Sequence, residues 1–315
     1  MASEGADVRP GNGLVDGVGE VRASARALLA ALIDYAGLFP PAQLPMPAAV
    51  HNYAHYQDIP FSWILGRFIV PASRLEGFER EATSYLPQPG SSAVWRLSLG
   101  STDPARDVKR IDDFNRTHSG ALFDSIEIKA DSVAEIAAAG KAIPRSLRFY
   151  CEIPLAGELS PLIAAIGKAG AHAKVRCGGV SADAFPSVDR LAGFLCACHA
   201  AGVGFKATAG LHHPLRGIYP FTYEPDSQKG LMHGFLNVYL AAVWVCVGMS
   251  GGEVVELLEE RSAAAFRFFD DGVVWREHHL GMADLLAARR DFAFAFGSCS
   301  FAEPVADLRK MNLIP

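Results

Sequence analysis

From Val21 onward the chain alternates between two spacings of hydrophobic and polar positions. VRASARALLAALI carries its apolar residues at helical spacing, and DYAGLFPP then interrupts it with Gly and a proline pair. FSWILGRFIVP, AVWRLSLGS, FDSIEIKA, LRFYCEIPL, AKVRCGG, GFKATAG and FAFAFGS are short, nearly continuous apolar runs bounded by Gly, Pro, Ser or Asp, the pattern of buried strands. The stretches between them, such as SRLEGFEREATSYL, PARDVKRIDDFN and SVDRLAGFLCACHAAG, are amphipathic at helical spacing. Strands that are apolar on both faces and regularly interleaved with helices predict a parallel sheet covered by helices. With this many units, closure into an α/β fold of the (β/α)8 TIM-barrel type is favoured over an open sheet. No Gly-rich phosphate fingerprint follows the first strand, which argues against a dinucleotide or P-loop fold.

The periodicity breaks after His213. A Pro- and aromatic-rich loop, the apolar stretch LMHGFLNVYLAAVWVCVGM and FRFFDDGVVW, which reads as a hairpin, precede the final strand. The expected organisation is a loose leader over residues 1–20 and a single barrel domain over 21–315, with residues 215–285 as a helical and hairpin insertion after the seventh strand. The apolar stretch 231–249 is long enough to raise a membrane span, but His233, Asn237, two glycines and the lack of basic flanks favour a buried or interface helix. As an interface helix it is a candidate contact between copies of the chain, giving a homo-oligomer.

Composition fits this reading. Of 315 residues, 50% are hydrophobic and 20% charged, a balance that supports a large core rather than a disordered chain. A net charge of −5 carries no basic bias, which argues against nucleic acid or an anionic membrane as partner. The six cysteines are scattered through apolar runs and no secretory signal opens the chain, so reduced thiols in a cytoplasm are expected.

Candidate chemistry lies where charge meets the strands. Side chains alternate along a strand, so Glu127 and Lys129, Tyr150 and Glu152, Lys174 and Arg176, and Lys206 and Thr208 pair on common faces near strand ends. Barrel interiors are usually filled by branched apolar side chains, so a ring of Glu127, Lys129, Glu152, Lys174, Arg176 and Lys206 predicts a catalytic mouth. A lysine amine is nucleophilic only when neutral, and burial beside another cation favours that form. Lys174 would then attack a carbonyl, with Lys206 or Arg176 as the tuning cation and a carboxylate, Glu127 or Asp34, moving protons. His212 and His213 follow the Lys206 strand directly and are candidates to line the site. His51 and His55, four apart on a predicted helix, have a spacing that can bind zinc but no acidic general base between them; Cys196, Cys198 and His199 sit where helix neighbours two apart face different ways, and Glu277, His278 and His279 are expected to be a solvated cluster in the insertion. No metal or cofactor is expected.

The motifs also resemble a known family, the deoxyribose-phosphate aldolase group of class I aldolases. AKVRCGG is similar to its sixth-strand Lys-x-Ser/Thr-x-Gly pattern and GFKATAG to its seventh-strand Phe-Lys-x-x-Gly-Gly pattern. DSIEIKA is similar to the fourth-strand relay segment, LIDYAGLFPPA to the first-strand Ile-Asp segment, LRFYCEIPLAGEL to the fifth strand, and FGSCS to the last-strand phosphate loop. The resemblance implies a barrel with Lys174 as Schiff-base lysine, Lys206 as second lysine, and Glu127 and Asp34 as the functional carboxylates. Backbone amides of Gly-rich turns and small hydroxyls can cradle an anion, so Ser298 and Ser300 at the last strand end, with Gly178, Gly179 and Gly210 across the mouth and Arg176 to supply charge, predict a carboxylate or phosphate site. Glu127 stands where the family has an aspartate, Gly178-Gly179 where it has Gly-Lys, and the insertion after the seventh strand is large. Two other readings stay open: a metal-dependent lyase, isomerase or hydrolase built on Glu127, Glu152 and His212 or His213, and a non-catalytic barrel that binds a ligand or partner through the apolar insertion.

Overall fold

A computed structural model describes residues 20–88, 90–91 and 93–315, so nearly all of the expected leader lies outside the described residues. Seven strands follow in order: β1 (Ile33–Tyr35), β2 (Leu65–Pro71), β3 (Trp95–Gly100), β4 (Ala121–Lys129), β5 (Arg148–Glu152), β6 (His172–Arg176) and β7 (Phe205–Thr208). Five short strands come next: β8 (Gly217–Pro220), β9 (Lys229–Met232), β10 (Phe266–Phe268), β11 (Gly272–Trp275) and β12 (His278–Gly281); β13 (Ala293–Ser298) is last. The first seven and β13 form a closed barrel in the order β1-β13-β7-β6-β5-β4-β3-β2. Every pairing in it is parallel. This is the (β/α)8 TIM-type barrel, closed where Ile33 and Asp34 pair with Phe296 and Gly297.

The helices between strands are α1 (Ala23–Leu29), α2 (Met46–Asp58), α3 (Leu75–Ala82), α4 (Pro104–Thr117), α5 (Val133–Ala142), α6 (Ser160–Ala169) and α7 (Val188–Ala200). After β7 come α8 (Phe235–Cys246), α9 (Gly251–Glu259), α10 (Met282–Asp291) and, after β13, α11 (Ala302–Lys310). Their starts are set by local chemistry. Asp103, Ser132 and Ser187 accept the backbone N–H three residues on, and Ser250 with Glu253 makes a reciprocal capping box.

The segment between β7 and β13 holds a two-stranded ribbon, β8 with β9, and an antiparallel sheet, β10-β11-β12. FRFFDDGVVW forms the expected hairpin, extended by β12. Of the two expectations for the apolar helix α8, buried or interface, the chain realises the buried one. Every residue of it from Phe235 to Val245 is buried within the chain itself, against α7, α9, α10 and β13. Tyr239 stacks on Phe205 and Phe235 on Phe296, so α8 covers the barrel wall at β7 and β13. Its polar residue is structural: Asn237 accepts from the Arg216 N–H and donates to the carbonyls of Leu257 and Glu260. Among the described residues no helix is long and apolar enough to cross a membrane.

Candidate active site

Strand register assembles the charged groups. Lys129 pairs with Glu152, Glu152 with Lys174 and Lys174 with Lys206 across β4, β5, β6 and β7, so the four lie side by side at the carboxyl ends. Lys174 Nζ lies 2.9 Å from Glu127 Oε2 and 2.9 Å from Glu152 Oε2. Lys206 Nζ donates to Glu127 Oε1 at 2.6 Å and to Asp34 Oδ2. One carboxylate, Glu127, thus bridges the two ammonium groups, and Ser98 Oγ donates to its Oε1 at 2.7 Å. Glu152 is also flanked from the rim by Lys129 at 3.8 Å and Arg176 at 3.6 Å.

The electrostatics reverse one expectation. Burial by itself pulls the Lys174 pKa down and Lys206 pulls the same way, but Glu127 and Glu152 outweigh both, and the pKa is raised above its ordinary 10.5. Burial likewise disfavours the Lys206 ammonium, yet Asp34 and Glu127 raise its pKa further still. Burial pushes the Glu127 carboxyl up and the two lysines more than offset it, holding it well below the usual range; Glu152 is lowered by Lys174 in the same manner. The resting site is therefore a charged network of two ammonium groups and three carboxylates. Sequence placed cation beside cation. What alternation along a strand could not show is that a carboxylate stands between them. Arg176, expected as a second tuning cation, faces Glu152 and donates to the Gly178 carbonyl.

A cavity of about 630 Å³ opens above this network. Of the residues singled out in the sequence, Glu127, Lys129, Glu152, Lys174, Arg176, Gly179, Thr208, Gly210 and His212 wall it. Asp34 and Lys206 lie beneath, both fully buried. Gly178 backs the wall, close against Gly210: a Cβ on Gly210 would meet the Gly178 Cα at 2.6 Å, and Gly210 has φ +70°, so side chains are excluded there on both counts. Ala209 beside it also sits in the left-handed region, at φ 56°, a conformation costing a non-glycine residue about 1 kcal/mol. Held backbone of this kind is found at sites where geometry matters more than stability.

Other expected residues point elsewhere. His213 turns to Asp307 (Nδ1 to Oδ2, 2.6 Å) and stacks on Tyr219. Ser298 is buried at the end of β13, and Ser300 Oγ accepts the Glu303 N–H at the start of α11; neither walls the cavity. Cys299, between them, does, together with Phe39, Pro40 and Pro41 after β1 and Ser101, Thr102 and Arg106 after β3. The Phe-Pro-Pro run was legible as a chain break but carried no sign of facing the mouth.

Among the described residues no group of three or more His, Cys, Asp or Glu converges as metal ligands. Between Glu127 and Glu152 the place a cation would take is filled by the Lys174 ammonium. Comparisons with protein-family models, with curated proteins and with solved structures found no match to this chain.

Proposed function

We propose that the protein is a Schiff-base lyase or aldolase for a small carbonyl compound, with Lys174 as the amine that attacks it. The observation that carries this reading is the contrast between the lysines. The Lys174 side chain keeps 12% of its surface open and walls the cavity, whereas Lys206 is 0% exposed and sealed beneath it. The resemblance of AKVRCGG to the Schiff-base strand of the aldolase family supports the same assignment. Free cysteines throughout fit a reducing cytoplasm.

The resting ammonium must first lose a proton. With its pKa raised above the ordinary lysine value by Glu127 and Glu152, Lys174 rests as the ammonium at neutral pH. Glu127 Oε2 and Glu152 Oε2, each 2.9 Å away, hold that proton as ion-pair partners, so it leaves to solvent through the open face of the cavity. The amine then adds to the carbonyl carbon, the carbinolamine loses water, and the iminium withdraws electrons from the neighbouring carbon. That electron sink permits carbon–carbon cleavage, or formation through the enamine, with the proton exchanged at the open face of the cavity. Lys206 and Asp34 hold Glu127 in place from below and do not reach substrate.

The test is reductive trapping of a carbonyl compound followed across pH. Because carboxylates hold Lys174 charged, the trapping rate climbs through pH 10 in the native protein. In Glu152→Gln the ammonium loses one of its two stabilising charges, and the midpoint of that rise moves to lower pH by on the order of one unit. An unmoved midpoint would show that Glu152 does not control the charge of Lys174.

The rim sets the expected substrate charge. Arg106, Lys129 and Arg176 wall the cavity, and the side chains of Arg106 and Lys129 are 57% and 74% exposed. We infer that the carbonyl compound carries a carboxylate or phosphate facing these cations rather than Ser298 and Ser300. Arg176→Ala is expected to raise KM for such a substrate about tenfold, the loss of one charge-assisted contact, with little change for an uncharged analogue. Equal losses for both would remove the anion site from the account.

A further inference from the structure

The wall of the cavity carries a second reactive constellation that the amine chemistry does not use. Cys299 Sγ lies 4.0 Å from His212 Nδ1 and 3.5 Å from Tyr223 Oη. His212 Nδ1 is in turn 3.2 Å from Glu303 Oε2, which also accepts from Tyr223 Oη at 3.1 Å. These groups come from the loop after β7, the loop between β8 and β9, the end of β13 and α11. The Ala42 backbone amide also favours the charged sulfur. His213, paired with Asp307, lies 3.8 Å from the other Glu303 oxygen.

The other cysteines set the contrast. All six are free thiols. Burial pushes Cys151 and Cys177 up to about 12 and Cys246 to about 11, and raises Cys196 and Cys198 too. Cys299 is equally burdened by burial, yet His212 lowers it below the ordinary thiol value. Burial would discharge His212, but Cys299 and Glu303 hold it protonated, up to about 9. Tyr223 is pushed up by burial and by the same two neighbours, so its phenol stays a donor.

We propose that Cys299 is a hydroperoxide-reactive thiolate in the cavity wall, with His212 as its counter-ion and proton donor. The residue is only 5% exposed, which admits a small electrophile from the cavity and excludes a bulky one. A peroxide needs both a thiolate and a donor for the oxygen that leaves, and His212 with Tyr223 supplies the donor. The sulfur attacks one peroxide oxygen; the S–O bond forms as the O–O bond breaks. Sulfur is oxidised to the sulfenic acid, the peroxide is reduced to water or an alcohol, and the His212 proton goes to the departing oxygen. The assignment stands on the cluster alone and is independent of the Schiff-base reading.

The test treats the full chain with hydrogen peroxide, captures sulfenic acid with dimedone, and maps the label by peptide mass spectrometry between pH 7 and 8.5. Cys299 is expected to label before the more exposed Cys196 and Cys246, at a rate that changes less than about threefold over this range. An unperturbed thiol of pKa about 8.5 would rise roughly fifteenfold. His212→Gln should slow labelling of Cys299 at pH 7 by about tenfold and restore the steep rise. Should that variant not fold, Glu303→Gln gives the second reading: with His212 less firmly protonated, labelling falls off at lower pH than in the native protein. Labelling first at Cys196 or Cys246, or a fifteenfold rise at Cys299 in the native chain, would overturn the proposal. Either result would show a neutral thiol donating to Tyr223 in a purely structural chain of hydrogen bonds.

Discussion

Replacing Lys206 by Met is expected to lower stability by about 3–5 kcal/mol, the cost of leaving buried carboxylates without their counter-ion. Lys206 is 0% exposed and its two partners, Asp34 and Glu127, are sealed with it. Methionine fills the same volume but returns no charge, and Asp34, whose Oδ1 accepts the Arg67 N–H, is left to the weaker fields of the Arg67 and Arg289 guanidinium groups. The urea midpoint should fall with the slope unchanged. The double variant Lys206→Met with Asp34→Asn should recover part of the loss, since it removes an orphaned charge along with its partner. A single variant within about 0.5 kcal/mol of the native protein would mean that the network does not hold the barrel floor.

The pH dependence of native stability follows from the same groups. Glu127 is depressed in the folded state, so its contribution is present above its unfolded pKa, near 4.3, and is lost as pH falls through its folded value. Lys206 is raised, so its contribution is present below about 10.4 and is lost as pH rises through its folded value. The network therefore supports the fold across the neutral range and weakens at both ends.

The barrel was legible because parallel strands buried on both faces leave long apolar runs, and seven such runs stand in the sequence with helices between. The eighth strand, β1, has three residues, Ile33, Asp34 and Tyr35, and its segment reads as a break because Gly and two prolines follow at once. Alternation correctly put Glu127, Glu152, Lys174 and Lys206 at one end of the barrel. It could not give the partners, which depend on register between strands far apart in sequence, nor the sign of the lysine shift, which follows from those partners. Helix α8 could be read as a buried or interface helix but not resolved between them, because it is apolar all round; its 12 residues, stopped by Gly248 at φ +91°, are enclosed by the chain's own helices. At the last strand, FGSCS drew notice to its serines, whereas the side chain that turns to the cavity is Cys299. The carboxylate that defines its surroundings, Glu303, lies four residues later on α11, and Tyr223 comes from the inserted segment. No local pattern joins the three.

The largest effect is expected at Lys174 itself. Lys174→Met leaves the cavity and the sealed Lys206 pairings in place but removes the one amine among the described residues that both walls the cavity and sits between two carboxylates, Glu127 and Glu152. Loss of the covalent nucleophile should cut carbonyl adduct formation at the site at least a thousandfold, against at most a few-fold for replacement of the rim lysine, Lys129. The decisive measurement is incubation with small aldehydes and ketones, including carboxylated and phosphorylated ones, then borohydride reduction and peptide mass spectrometry. The account predicts one stable secondary amine, on Lys174, that disappears in Lys174→Met. An adduct forming first on Lys206, or spread evenly over exposed lysines and unchanged in Lys174→Met, would contradict it.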